Sequence, residues 1–221
     1  MRLSPLLLLA LALGACQSAE RAAEDAADAT ATVARGAADA VEDAAGMTYS
    51  AVRDVFDDDD MTTAAALVRP TSAPGSDVQG VVRFHEMDGG LMVMVSLSGL
   101  PPGPHAVHIH ENAACGDGDS DDDGMMEPGG AAGGHWDPLM TMDHGAASED
   151  LDDKHVGDLG NVTVGADGTV ETSMTIETFP VDDYDVAGHA LMVHAGRDDL
   201  ESDPGGNAGT RVGCGVIEAR M

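Results

Sequence analysis

From residue 62 onward the chain is cut into short apolar runs by clusters of Gly, Pro, Asn and Asp, and this spacing limits the fold more than any other feature. The runs at 64–69, 77–85, 91–97, 106–110, 160–164, 169–176, 189–194 and 215–218 are Val-rich and alternate in polarity, as strands with one buried face do. The turn signals Asp88-Gly89-Gly90 and Asp167-Gly168 join neighbouring runs into hairpins. No stretch of this part carries a strong helical period. Aromatics make up only 3% of the chain, so a core must be built from Val, Leu, Ile, Ala and Met. The expectation is an all-β domain over 62–221, an antiparallel sandwich or flattened barrel.

Two other zones precede it. Residues 1–15 have the form of an export signal: Arg2 supplies charge, and the apolar run at 6–13 is too short to span a bilayer. The run closes in Leu13-Gly14-Ala15-Cys16, which resembles the lipobox of bacterial lipoproteins and so implies a lipid on Cys16. The protein is then exported and held in the cell envelope, on the periplasmic or extracytoplasmic face of a bacterial membrane. Residues 16–61 are rich in Ala, Asp, Glu and Thr. Their thin apolar stripe (Val33, Val41, Val52, Val55, Phe56) gives little to bury, so they read as an acidic tether. The whole chain sets 40 Asp and Glu against 10 Lys and Arg, a formal charge of −30, which excludes nucleic acid as a partner.

The chemistry lies in the histidines. Of nine in the chain, six form a sparse pattern with one aspartate: His108, His110, His135, His144, His155, Asp158 and His194. On a strand, His108 and His110 point to one face and Ile109 to the other. Two imidazoles side by side make half of a metal site, and further His and Asp in the loops point to metal binding.

Five segments carry a specific resemblance. They are His105-Ala106-Val107-His108-Ile109-His110-Glu111, Gly133-Gly134-His135-Trp136-Asp137-Pro138, His155-Val156-Gly157-Asp158-Leu159-Gly160-Asn161, Leu191-Met192-Val193-His194, and Gly206 through Ile217 with Arg211, Gly213 and Cys214. In this order they resemble the signature stretches of copper/zinc superoxide dismutases. The resemblance implies an eight-stranded Greek-key fold with long metal-binding loops. It implies copper on His108, His110, His135 and His194, and zinc on His135, His144, His155 and Asp158, with His135 bridging the two metals. It gives Asp198 the role of a carboxylate orienting one histidine of each set, and Arg211 that of the arginine lining the substrate channel. It joins Cys115 to Cys214, a pair that can oxidise outside the cytoplasm. His105 matches a position of structural role, whereas His85 and His189 match none.

The implied activity is dismutation of superoxide to O₂ and H₂O₂, with His135 as the proton donor to peroxide. A non-catalytic copper/zinc-binding or copper-delivery module on the same fold is the alternative, and the full copper set with Arg211 weighs against it. Superoxide, the membrane and, among proteins, a second copy of the chain are the partners this reading admits.

Two stretches depart from the family. The segment 116–134 is long and acidic. Its Asp119, Asp121, Asp123 and Gly124 imitate the start of an EF-hand loop, yet the twelfth position is Gly130 and not Glu, so a solvated charge run is expected there. The segment 146–154 lengthens the interval between His144 and His155. Met140 and Met142, beside His144, are expected to serve in flexible packing, with Cu(I) recruitment as the alternative.

Overall fold

The computed structural model describes residues 61–120, 124–181 and 183–220. The export signal, Cys16 and nearly all of the tether lie outside the described residues, as do Asp121 and Asp123. Within them are eight strands: β1 (Ala64–Pro70), β2 (Gln79–Met87), β3 (Gly90–Ser98), β4 (Gly103–His110), β5 (Asp158–Val164), β6 (Thr169–Ile176), β7 (Ala190–His194) and β8 (Arg211–Ala219). The one helical element described is a single 3₁₀ turn, Gly130–Ala132. No helix of the described residues is long and apolar enough to cross a membrane.

The strands lie in the order β5-β4-β7-β8-β1-β2-β3-β6, and every adjacent pair is antiparallel. β5 and β6 stand at opposite ends of that order, yet a tight turn joins them, in which the Gly165 N–H donates to the Thr169 carbonyl at 2.8 Å. The sheet must therefore curl until its ends meet, and it forms the expected flattened barrel. The β3–β4 and β6–β7 connections cross between its halves, which gives the Greek-key path.

Alternation fills the interior. Val82 and Phe84 of β2, Leu91, Val93, Val95 and Leu97 of β3, Val107 and Ile109 of β4, and Leu191 and Val193 of β7 share one buried core. Burial of each such side chain contributes roughly 1.5–3 kcal/mol.

The strands expected from the sequence all form, and the largest boundary error is at β8, read from residue 215 and starting at Arg211. A Cβ on Gly213 would come within 2.4 Å of Val78 Cγ1 and 3.0 Å of Val68 Cγ1. A glycine that lets two strands approach weakens the strand pattern of its own segment, and this hid the first half of β8.

Candidate metal centre

β4 is paired on both edges, so its outer face is as constrained as its inner one. Val107 and Ile109 enter the core, and His108 and His110 point outward, where the long connection at 111–157 covers them so that both are fully buried. The neighbouring ladders slip at the same place. A bulge between Ala106 and His108 sets His108 opposite Asp158 of β5, and another between Val193 and His194 sets His194 opposite Arg211 of β8. Bulges of this kind re-aim side chains next to active sites. His135 reaches the group through a bridge to His110, and the next residue, Trp136, is locked by its N–H to the Ile109 carbonyl and by the Gly157 N–H to its own carbonyl, each 2.9 Å.

Hydrogen bonds to fixed acceptors select the tautomer of each histidine. His110 donates from Nδ1 to the Gly133 carbonyl at 2.9 Å, and His194 from Nδ1 to the Gly209 carbonyl at 3.1 Å. His108 bonds through Nε2 to Asp198 Oδ2 at 2.7 Å. The nitrogens left over, His108 Nδ1, His110 Nε2 and His194 Nε2, are buried without a hydrogen-bond partner. One ligand atom from each of these residues and one from His135 lie within 4.8 Å of one another. Burial, then His135, Arg211 and His194, hold His110 well below its ordinary pKa, and burial with His108 does the same for His194. Buried rings with unpartnered nitrogens are suited to a metal that takes four imidazole nitrogens.

The second group is built on Asp158. Its Oδ1 lies 2.7 Å from His135 Nδ1, 3.0 Å from His144 Nδ1 and 3.3 Å from His155 Nδ1. Tetrahedral zinc with bonds of about 2.0–2.2 Å places its ligand atoms roughly 3.3 Å apart, and the three contacts, at that spacing or somewhat inside it, bring the donors close enough to share one ion. The electrostatics agree. Burial opposes ionisation of Asp158, but hydrogen bonds from His135, His144 and His155 hold its carboxyl far below the usual range. Asp198 is likewise held low against burial by His108 and His144. His144 bridges these carboxylates through both ring nitrogens, and although burial disfavours its charge, the hydrogen bonds to Asp158 and Asp198 raise it to about 10. Two buried anions share this one histidine, and a divalent cation taking the place of the proton between His144 and Asp158 would supply the balancing charge.

His135 belongs to both groups. Burial and the nearby His108 push it down to about 3, so it is neutral at ordinary pH. Asp198 ties the groups a second time, through Oδ2 to His108 and Oδ1 to His144 at 2.9 Å. Its backbone is clamped by Asn161, whose side-chain amide donates to the Asp198 carbonyl at 3.0 Å and accepts from the Asp198 N–H at 2.8 Å. At Gly206 (φ +62), a Cβ would stand 1.9 Å from Asp198 Oδ1 and 2.6 Å from His144 Nε2, so only glycine fits. Arg211 donates from Nη2 to the Gly133 carbonyl at 2.8 Å and from Nη1 to the Gly129 carbonyl at 3.1 Å. Gly133 thus holds both the arginine and His110. Cys115 and Cys214 form a disulfide (Cα–Cα 5.6 Å) that fixes the same loop to β8.

Among the described residues, the ligand histidines, Asp158, Asp198, Arg211, Cys115 and Cys214 named from the sequence lie in one of the two groups or directly beside them, and Cys16 lies outside the described residues. Asn161 and Gly206 were quoted within the matching segments without a role, and the two carbonyls that hold Arg211 left no side-chain signal. Lys154, the chain's one lysine, lies buried next to His155, where burial lowers its pKa against the attraction of Asp158 and Glu149. His105 has the expected structural part, with Nδ1 2.9 Å from the His194 carbonyl and Nε2 2.8 Å from that of Pro101. His85 meets the Met61 carbonyl, and His189 stacks on Trp136 with centroids 4.0 Å apart. Asp119 accepts from the Gly124 N–H at 2.8 Å, and its side chain caps a loop. Met140 and Met142 are exposed, so the packing role expected for them is wrong.

Residues 78–217 match the family model described as copper/zinc superoxide dismutase (SODC). The chain belongs to the copper/zinc superoxide dismutase family. The Cu-Zn superoxide dismutase of Deinococcus radiodurans is 40% identical over 146 residues, 64% of this chain and 78% of the relative. That of Haemophilus parainfluenzae is 40% identical over 148 residues, 66% of this chain and 76% of the relative. The solved Cu/Zn superoxide dismutase from Brucella abortus superposes with a TM-score of 0.59 at 35% identity, covering 70% of this chain and 98% of that one. Copper and zinc are therefore the cofactors of this superoxide dismutase, and its two groups of buried ligands fit them.

Proposed function

We propose that the chain disproportionates superoxide to O₂ and H₂O₂ with copper on His108, His110, His135 and His194 and zinc on His135, His144, His155 and Asp158. The observation that carries this division is the membership of His135 in both ligand groups. Imidazole is the side chain with two nitrogens able to face two ions, and Nδ1 toward Asp158 leaves Nε2 for the copper set. Copper held on that set would supply the one-electron redox chemistry that dismutation requires, which zinc, with a single oxidation state, would not.

The protein's own groups do the rest. Arg211 presents a fixed positive charge with donors suited to a small oxyanion, held by the Gly129 and Gly133 carbonyls. His135, with Nδ1 toward Asp158 and Nε2 toward the copper set, is placed to hand a proton from Nε2 to the peroxide. Asp198 keeps His108 and His144 in orientation, a role whose loss typically lowers metal affinity about 10–100-fold. The envelope location, with a lipid on Cys16, rests on the lipobox-like Leu13-Gly14-Ala15-Cys16 and on a cystine that needs an oxidising compartment. If it is right, Cys16→Ser releases the protein from membranes.

The test is metal analysis of the purified, oxidised protein together with the decay of pulse-generated superoxide at several salt concentrations. Copper and zinc in equal amount and fast catalysed decay support the proposal, and zinc-only protein or uncatalysed decay overturns it. The salt series carries a further prediction. At a formal charge of −30 the far field repels superoxide, and only groups near the channel attract it. Salt shortens the Debye length from about 8 Å at 0.15 M to about 3 Å at 1 M, so it screens distant repulsion before contact-range attraction. The second-order rate is expected to stay flat or rise up to moderate ionic strength, and Arg211→Glu to lower it throughout. A steep fall from the lowest salt upward would show that a local positive funnel dominates.

A further inference from the structure

Six large apolar side chains among the described residues are exposed, and five are methionines: Met61, Met125, Met126, Met140 at 80% and Met142 at 75%, with Leu139 at 40%. Met140 and Met142 stand apart from the rest. Each sits in the left-handed region, at φ 55 and 64, where Gly or Asn is the ordinary choice. Asp137 holds the turn, its Oδ1 accepting from the Thr141 N–H at 3.2 Å and its Oδ2 from the Met142 N–H at 3.0 Å. The turn lies between His135 and His144, so the segment that supplies ligands to the buried centre also displays two thioethers to solvent.

Packing does not account for these side chains, because most of their surface meets water. An apolar docking face does not either, since the exposed Asp143 and the part-exposed Thr141 interrupt it. What remains is the chemistry of sulfur. A thioether is a soft, neutral donor that binds Cu(I) and neglects zinc, and a strongly acidic chain draws cations to its surface. We propose that Met140 and Met142 form a surface site for Cu(I), separate from the histidine centre. The site adds a soft-metal function to a protein whose copper reading rests on its histidines.

The test is anaerobic titration of Cu(I), in competition with bicinchoninate, into protein already carrying its copper and zinc. Wild type is expected to take up a further equivalent of Cu(I) showing sulfur scattering in X-ray absorption. The M140L/M142L protein, which keeps size and apolarity, is expected to lose that equivalent, and M125L/M126L to keep it. No further uptake by wild type, uptake that survives M140L/M142L, or equal loss in both double variants would overturn the site. Once loaded, M140L/M142L is expected to dismutate superoxide as wild type does. An inactive wild type would sink the dismutase reading while the sulfur titration is decided by its own outcome.

Discussion

Replacing His135 with alanine is expected to abolish dismutation and to lower occupancy of both metals, whereas His194→Ala removes copper and leaves zinc near its full level. The difference follows from membership. His194 lies in one ligand group, on the copper side, with Nε2 as its unpartnered nitrogen and no contact to Asp158. His135 lies in both, and its Nδ1 makes the shortest of the three contacts to Asp158 Oδ1, at 2.7 Å. Its removal also takes away the ring packed 4.1 Å from His108, which loosens the copper side further. Asp198→Ala touches both sides too, through His108 and His144, but only by reorienting ligands, so the expected loss is about 10–100-fold in affinity and not the loss of the centre. Metal content by mass spectrometry, with the visible and paramagnetic spectra of the bound copper, separates the three variants. Full zinc and unchanged copper spectra in His135→Ala would refute the bridging assignment.

The parts legible in the sequence are those whose physics is local. Strand periodicity needs only neighbours along the chain, so all eight strands were found, and β8 was shortened only where Gly213 trades its side chain for a close approach between strands. The facing of His108 and His110 away from Ile109 follows from the same period of two. What local reading could not supply is the meeting of residues brought together by the barrel and by the two bulges, such as His108 beside Asp158 or His194 beside Arg211. Those meetings came from the resemblance, which stores them as matched segments. The carbonyls of Gly129 and Gly133, which hold Arg211, are outside both routes, because a backbone acceptor is the same in every residue. Met140 and Met142 were misread for a related reason: sequence alone does not distinguish a methionine that fills a gap from one that faces water.

Exchange of both Cys115 and Cys214 for alanine is expected to destabilise the metal-loaded protein by about 4–5 kcal/mol and to lower its midpoint of thermal unfolding by roughly 10–20 °C. The bridge spans a sequence separation of 99, and a cross-link of that span restricts the unfolded chain far more than the folded one. Such a loss is a large share of the roughly 5–15 kcal/mol by which domains are usually stable. Alanine is the right replacement, since Cys214 is buried among Ala132, Ala190 and Met192, where a polar substitute would add its own penalty. A second effect should appear below the unfolding range. Cys115 anchors the start of the loop whose Gly129 and Gly133 carbonyls hold Arg211, and the Gly133 carbonyl also accepts the hydrogen bond from His110 Nδ1. Freed from β8, that loop no longer holds the arginine and a copper-side ring in register, so the rate with superoxide should drop in protein that is still folded and fully metallated. Denaturant unfolding at fixed free zinc measures the first effect, and superoxide decay at 25 °C the second. A stability loss under about 1 kcal/mol would contradict the entropic account of the bridge, and an unchanged rate in the folded, metallated variant would show that Arg211 keeps its place without it.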